Sequence, residues 1–141
     1  MTTPNRRHRR LMPFGPAPGQ TRLLTLELEP EVEAKLDAIR EDEYVVVLRL
    51  AEMLALMGRR LTEPQAKPLG EGVYELRPGA WRLTYWFPSE DRIVFLTMFR
   101  KQRDRDTRQV TYAKSTRKRC EREHFAADPH GSWFDRPREE K

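Results

Sequence analysis

The stretch KPLGEGVYELRPGAWRLTYWFPSEDRIVFLTMFRKQRDRDTRQVTYAKSTRKRCER, Lys67 to Arg122, decides how this chain folds. Three runs within it, Val73–Arg77, Trp81–Phe87 and Arg92–Phe99, are rich in the β-branched and aromatic residues that suit a pleated surface. Turn residues separate them: Pro78-Gly79 after the first, Pro88-Ser89-Glu90-Asp91 after the second. The pattern predicts a three-stranded antiparallel meander. After it, Asp106–Glu123 carries Val110, Ala113 and Cys120 at helical spacing, with Arg or Lys at most other positions, and predicts a basic C-terminal helix.

Upstream, Leu23–Leu28 alternates, with Leu24, Leu26 and Leu28 on one side and Thr25 and Glu27 on the other, which predicts a first strand. Pro30 then opens a helix where its missing N–H costs nothing, and Glu31 and Glu33 complement the positive end of the helix dipole. Val32, Leu36 and Ile39 repeat at helical spacing to about Arg40. Glu43–Met57 pulls two ways, because Tyr44-Val45-Val46-Val47 favours strand. Its length, its lack of internal Gly or Pro and the row Val46, Leu50, Met53, Met57 favour a buried helix, which Gly58 stops. Arg59–Leu69 reads as a loop. The expected fold is α+β: N-terminal strand, helical hairpin, antiparallel meander, basic C-terminal helix.

At 141 residues the chain has room for one domain with tails. Residues 1–21 are Arg-, Pro- and Gly-rich without periodicity and read as a disordered basic arm. The domain spans 22–125 and is expected to melt cooperatively without its tails; 126–141 reads as an irregular tail in which no rule places Trp133 or Phe134. The single Cys120 excludes an intramolecular disulfide and suits a reducing compartment. No apolar run approaches the roughly 20 residues of a spanning helix, and the N-terminus lacks the apolar stretch of a secretory signal. Cytoplasm is the default expectation, with no membrane partner.

The net charge of +5 hides an asymmetry. Residues 1–22 carry +5, 23–63 carry −5, 64–99 balance, 100–122 carry +7 and 123–141 carry −2. Positive potential focused just after the predicted sheet favours a nucleic-acid partner; the competing reading is a solvated charged helix. The chain has no Gly-rich phosphate loop, CxxC pair, HExxH or GxSxG, and His8, His124 and His130 all lie outside the predicted strands. No metal and no other cofactor is expected. Cations and tyrosines remain. Arg77 ends one strand and Arg82 begins the next, so Val73, Glu75, Arg77 and Arg82, Thr84, Trp86 could share a sheet face opposite the helical hairpin and form an exposed concave surface. Arg100, Lys101, Arg103 and Arg105 would rim that surface, Arg108 and Lys114 would extend it along the helix, and Lys67 would enter from the loop. Fixed guanidinium groups suit metal-independent RNA cleavage, in which a 2′-OH attacks the neighbouring phosphorus and charge grows on the phosphorane oxygens. A lysine crowded by arginines can act as a base nearer neutrality. Tyr85 or Tyr112 could stack on a base or shuttle a proton. The plainer readings stand beside these: Arg82 pairs with Glu75 across strands, Tyr85 and Trp86 are core, and Tyr112 packs the last helix.

LTEPQAKPLGEGVYELR (Leu61–Arg77), WRLTYWF (Trp81–Phe87) and FLTMFRKQ leading into a basic helix (Phe95–Arg122) together resemble the RelE/ParE toxin superfamily of type II toxin–antitoxin systems. The likeness is greatest to its phage-derived host-killing and HigB-like branch. In the ribosome-dependent mRNA-cleaving members the functional residues are lysines before the sheet, the arginine of an LR strand end, a basic residue past the last strand, and often a late tyrosine or histidine. The resemblance thereby implies Lys67, Arg77 and Arg100 or Lys101 as catalytic, with Tyr112 a looser match; Arg82, Arg103, Arg105, Arg108 and Lys114, from the cation cluster itself, are the residues expected to hold RNA. It also implies ribosome, mRNA and a cognate antitoxin, a small helix-turn-helix protein, as partners. This chain has Arg100-Lys101 where relatives commonly pair lysines, and Gln102–Asp106 where they carry Thr and Pro, which shifts the acid/base assignment because arginine transfers protons poorly. A gyrase-directed toxin of the ParE type and a non-toxic RNA- or protein-binding relative are the alternative functions.

Overall fold

The computed structural model describes residues 10–12, 23–101, 107–123 and 134. A two-residue strand β1 (Arg10–Leu11) precedes β2 (Thr25–Leu28), which leads into helix α1 (Pro30–Ala38) and helix α2 (Glu41–Met57). A short 3-10 turn, Gly58–Arg60, is followed by β3 (Ala66–Gly70), β4 (Val73–Leu76), β5 (Trp81–Ser89), β6 (Arg92–Arg100) and helix α3 (Thr107–Glu123). The strands form one mixed sheet in the order β1-β2-β6-β5-β4-β3. Strands β3 to β6 pair antiparallel in chain order, while β2 returns to lie parallel to β6, Leu26 beside Ile93.

Local chemistry accounts for the helix ends. Pro30 stands at the start of α1, with Glu31 and Glu33 in its first turn; Glu41, Asp42 and Glu43 fill that role in α2. Gly58 closes α2 with a backbone φ of +56°, and a Cβ there would lie 2.7 Å from Leu24 Cδ1. The positive φ favours glycine, and a Cβ would in addition require the tip of the Leu24 side chain to shift.

The sheet has a helical layer on each face. Val32 and Leu36 of α1, Val47, Ala51 and Leu54 of α2, and Leu76, Leu83, Tyr85, Ile93, Phe95 and Met98 of the sheet form the larger core. On the other face Val73, Val94 and Leu96 meet Ala113 and Cys120 of α3, with Leu69 and Trp86 at the margin. Central β6 is buried from Ile93 to Phe99, a run that is apolar apart from Thr97, as expected of a strand covered on both sides.

Four expectations are corrected. Lys67 lies on a strand, not in a loop: Pro68 and Gly70 disguise β3, an edge strand that needs ladder bonds on one side only. The α2 row Val46, Leu50, Met53, Met57 is the outward one, with Val46 44 % exposed, whereas Val47, Ala51 and Leu54 are fully buried. Both rows are apolar at the same spacing, so periodicity alone does not choose between them. Glu27, on the polar side of the first strand's alternation, is buried, and Arg92 of β6 grips its carboxylate through Nε at 2.9 Å. Within the expected disordered arm, residues 10 and 11 pair with β2 and Met12 is buried in the larger core. Phe134 joins that core as well, its ring 6.3 Å from that of Tyr44. The rest of the arm and the C-terminal tail lies outside the described residues.

Candidate nucleic-acid interface

The β4–β5 ladder sets Glu75 opposite Thr84, and the β3–β4 ladder sets Lys67 opposite Glu75. Opposed residues share a face, so Lys67, Glu75 and Thr84 lie together, and Arg82, two residues before Thr84, joins them. This is the face away from the helical hairpin: Leu76 and Leu83, on the alternate positions, are in the hairpin core. The two Arg-bearing strands do present one side. That side is not an open concave surface, because α3 packs over Val73, Val94 and Leu96 and leaves only the strip beside them.

Glu75 organises the strip. Its Oε1 accepts from Arg77 Nε at 3.2 Å and lies 3.8 Å from Arg82 Nε. Its residue is only 8 % exposed. Arg82 is held further by the carbonyls of Gly79 at 2.9 Å and Trp81 at 2.7 Å, to both of which its NH1 donates. Burial pushes the Arg82 guanidinium pKa down; the Glu75 charge opposes that shift and the Arg77 charge adds to it. Two neighbouring guanidiniums repel, and the carboxylate between them offsets the repulsion. Pairing of Arg82 with Glu75 across strands is therefore realised. The Thr84 and Thr97 hydroxyls satisfy each other behind the strip. With Arg77, Arg82 and Lys67 around one carboxylate, the strip keeps a positive balance and can hold a phosphate.

The other expected residues do not all converge here. Trp81 lies opposite Arg100, on the alternate positions, so Arg100 belongs to the hairpin side. There its guanidinium pairs with Glu43 of α2 at 3.2 Å and sits over the Trp81 ring at 4.7 Å from its centroid, while Trp81 Nε1 donates to the same Glu43 carboxylate at 3.0 Å. Lys101 is exposed and its backbone N–H donates to the Ala80 carbonyl at 2.7 Å, which keeps it beside the start of β5. Tyr112 on α3 donates its hydroxyl to Glu31 of α1 at 2.7 Å. Arg108 is exposed on α3, and Lys114 pairs at 3.3 Å with Glu71 in the β3–β4 turn. Arg117 lies over the Trp86 ring, 5.4 Å from its centroid. Arg103 and Arg105 lie outside the described residues. Tyr85 is core, stacked on Tyr74 at 5.5 Å, and burial pushes its phenol pKa well above the usual value.

Glu43 and Glu31 were not foreseen as partners, since 57 residues separate Glu43 from Arg100 and 81 separate Glu31 from Tyr112. Glu75 carries a local signal, being two residues before Arg77 on the same side of a strand. Among the described residues, no group of three or more His, Cys, Asp or Glu gathers in a way that could hold a metal ion, and no helix is long and apolar enough to cross a membrane.

Fold and site together define an α+β domain with helices on both faces of a mixed sheet and a cationic strip beside its last helix. The chain belongs to the family of phage-derived Gp49-like proteins (DUF891), whose profile matches residues 34–120, and through it to the RelE/ParE-like toxin superfamily. The match runs from within α1 to the last turns of α3 and includes the whole strip. A comparison with curated proteins finds no match.

Proposed function

We propose that the protein is the toxin of a type II toxin–antitoxin system, of the HigB-like kind, and that it cuts messenger RNA on the ribosome until a cognate helix-turn-helix antitoxin silences it. One observation carries this reading: Lys67, Arg77 and Arg82 gather around Glu75 on one sheet face, within the segment the family profile matches. The substrate's own 2′-OH attacks the adjacent phosphorus, and a 2′,3′-cyclic phosphate and a 5′-OH end result. Arg77 and Arg82, already oriented by Glu75, stabilise the charge that grows on the phosphorane oxygens, and no reorganisation is needed at that moment. Lys67 gives a proton to the leaving 5′-oxygen, the proton of the attacking 2′-OH passes to solvent water, and Lys101 steers the backbone. The chemistry runs on cations and uses no metal.

Induced expression followed by mapping of messenger 5′ ends tests this. Cleavage in translated frames, lost in Lys67→Ala and Arg77→Ala, supports it. A second reading, a binding toxin of the ParE type or a non-toxic binding relative, is favoured by the commitment of Arg100 to Glu43 and Tyr112 to Glu31. Growth arrest with intact message and damaged DNA selects the gyrase-directed form. Normal growth with intact message selects the non-toxic one.

A further inference from the structure

Between Tyr44 and Met57 only Arg49 and Glu52 carry charge, so α2 is apolar on nearly every side. Such a helix is normally enclosed by protein. Here only one side is: Val47, Ala51 and Leu54 are fully buried, while Val46, Met53, Leu56 and Met57 are 38–49 % exposed. Val46, Arg49, Leu50 and Met53 also line an open groove of about 420 Å³ whose other side is Pro64, Gln65, Arg77 and the Pro78-Gly79 turn. An exposed apolar row beside a groove marks an association surface.

We propose that the occupant is a second copy of this chain, α2 packed antiparallel on α2 about a twofold axis. The row itself argues for this. Val46, Leu50, Met53 and Met57 are spaced four, three and four residues apart, a series that is the same from either end. An antiparallel copy therefore sets Val46 against the copy's Met57 and Leu50 against the copy's Met53, and the twofold axis reproduces both contacts. A twofold interface requires this kind of self-complementary patch. The four–three spacing is also that of paired helices whose side chains interdigitate at a small crossing angle. The unbranched methionines fill the irregular groove beside the row.

The charges at the helix ends agree. Glu41, Asp42 and Glu43 occupy the first turn, and Arg59 and Arg60 follow the last. The pairing that sets position 46 against 57 brings the first turn of one α2 beside the copy's Arg60; Asp42 and Glu43 are paired within the chain with Arg40 and Arg100, so the exposed Glu41 carries the attraction to that basic end. Antiparallel helix dipoles add to the attraction. A copy arranged parallel would instead bring like ends together. The proposal does not depend on the toxin reading.

Sedimentation velocity of the full chain over a dilution series tests it. The expected result is a mass that rises from one chain to two with concentration. Val46→Glu and Met53→Glu, both at exposed positions and checked by melting for an intact fold, should weaken the dimer about thirtyfold or more, the loss expected of a central interface contact. Arg60→Glu should weaken it several-fold, and adding Glu41→Lys should restore it by exchanging the signs of the two ends. A mass of one chain at every concentration overturns the proposal. So does a dimer that neither Val46→Glu nor Met53→Glu weakens.

Discussion

The two faces of the sheet are built for different ends. The hairpin face is broad and dry, with side chains from two helices, five strands, Met12 and Phe134 in one cluster. The α3 face is narrow: the helix offers small side chains, Ala113, Thr116 and Cys120, and beside it runs the strip of Lys67, Glu75, Arg77 and Arg82. The large apolar core is concentrated on the first face and the clustered cations on the second. A domain that must desolvate guanidinium groups without unfolding gains from keeping these apart, since unpaired buried charge is costly and a large apolar core is not.

The largest test of this division removes the outlying segments of the hairpin core. A fragment of residues 22–125 lacks Met12 and Phe134, and deletion of two such buried side chains should cost on the order of 5 kcal/mol, comparable to the whole stability of a small domain. Chemical denaturation should find the fragment unfolded or nearly so; a cooperative transition at the full-length midpoint would mean that the core closes without them. Leu83→Ala, within the same face, should cost about 2–5 kcal/mol by the same measurement.

On the other face the effects should move from stability to activity. Under the proposed chemistry, Arg77→Ala should lower the messenger cleavage rate about a hundredfold or more through loss of a transition-state contact, and Lys101→Ala should lower it about tenfold through loss of steering. Lys101→Ala should leave the melting temperature nearly unchanged, because an exposed truncation costs less than about 0.5 kcal/mol. A Lys101→Ala variant that cleaves at the wild-type rate would remove this residue from the site. Cys120→Ala, a small deletion under α3, should cost only about 1 kcal/mol, and a loss as large as that of Leu83→Ala would erase the distinction between the faces.

The smallest effect at neutral pH belongs to Tyr85→Phe. Burial holds the Tyr85 phenol neutral in the folded protein beyond the pH at which an unfolded tyrosine ionises, so its folded pKa is raised. Full stability is therefore kept below about pH 10 and lost progressively as pH climbs above it, because the unfolded chain then binds fewer protons. Tyr85→Phe should shift alkaline unfolding to higher pH; an unchanged profile would assign the transition to other groups.

Much of this was legible in the sequence. The β-branched and aromatic runs with their Pro and Gly punctuation located β4, β5 and β6, and the length of Glu43–Met57 outweighed the strand propensity of Tyr44–Val47. Alternation placed Arg77 and Arg82 on one side. What stayed hidden needed distance information. The side of α2 that turns inward depends on what it packs against, and both rows were apolar. The burial of Glu27 depends on Arg92, 65 residues away, and the assignment of Arg100 to the other face depends on Glu43 and on the ladder register at Trp81. Met12 and Phe134 sit in segments with no period, where a single apolar residue gives no signal of docking.

The parallel pairing of β2 with β6 has a consequence for how the chain comes to be folded. Leu26 must find Ile93, 67 positions later, and closure of so long a loop is slow compared with formation of a helix or a hairpin. During synthesis from the N-terminus, β2 and both hairpin helices emerge before the strand that organises them exists. Their apolar sides, including both rows of α2, stay uncovered until β6 arrives. Strands β3 to β5, which carry the cationic strip, also precede β6 in the chain, so the strip and the uncovered helices are present together until β6 closes the sheet.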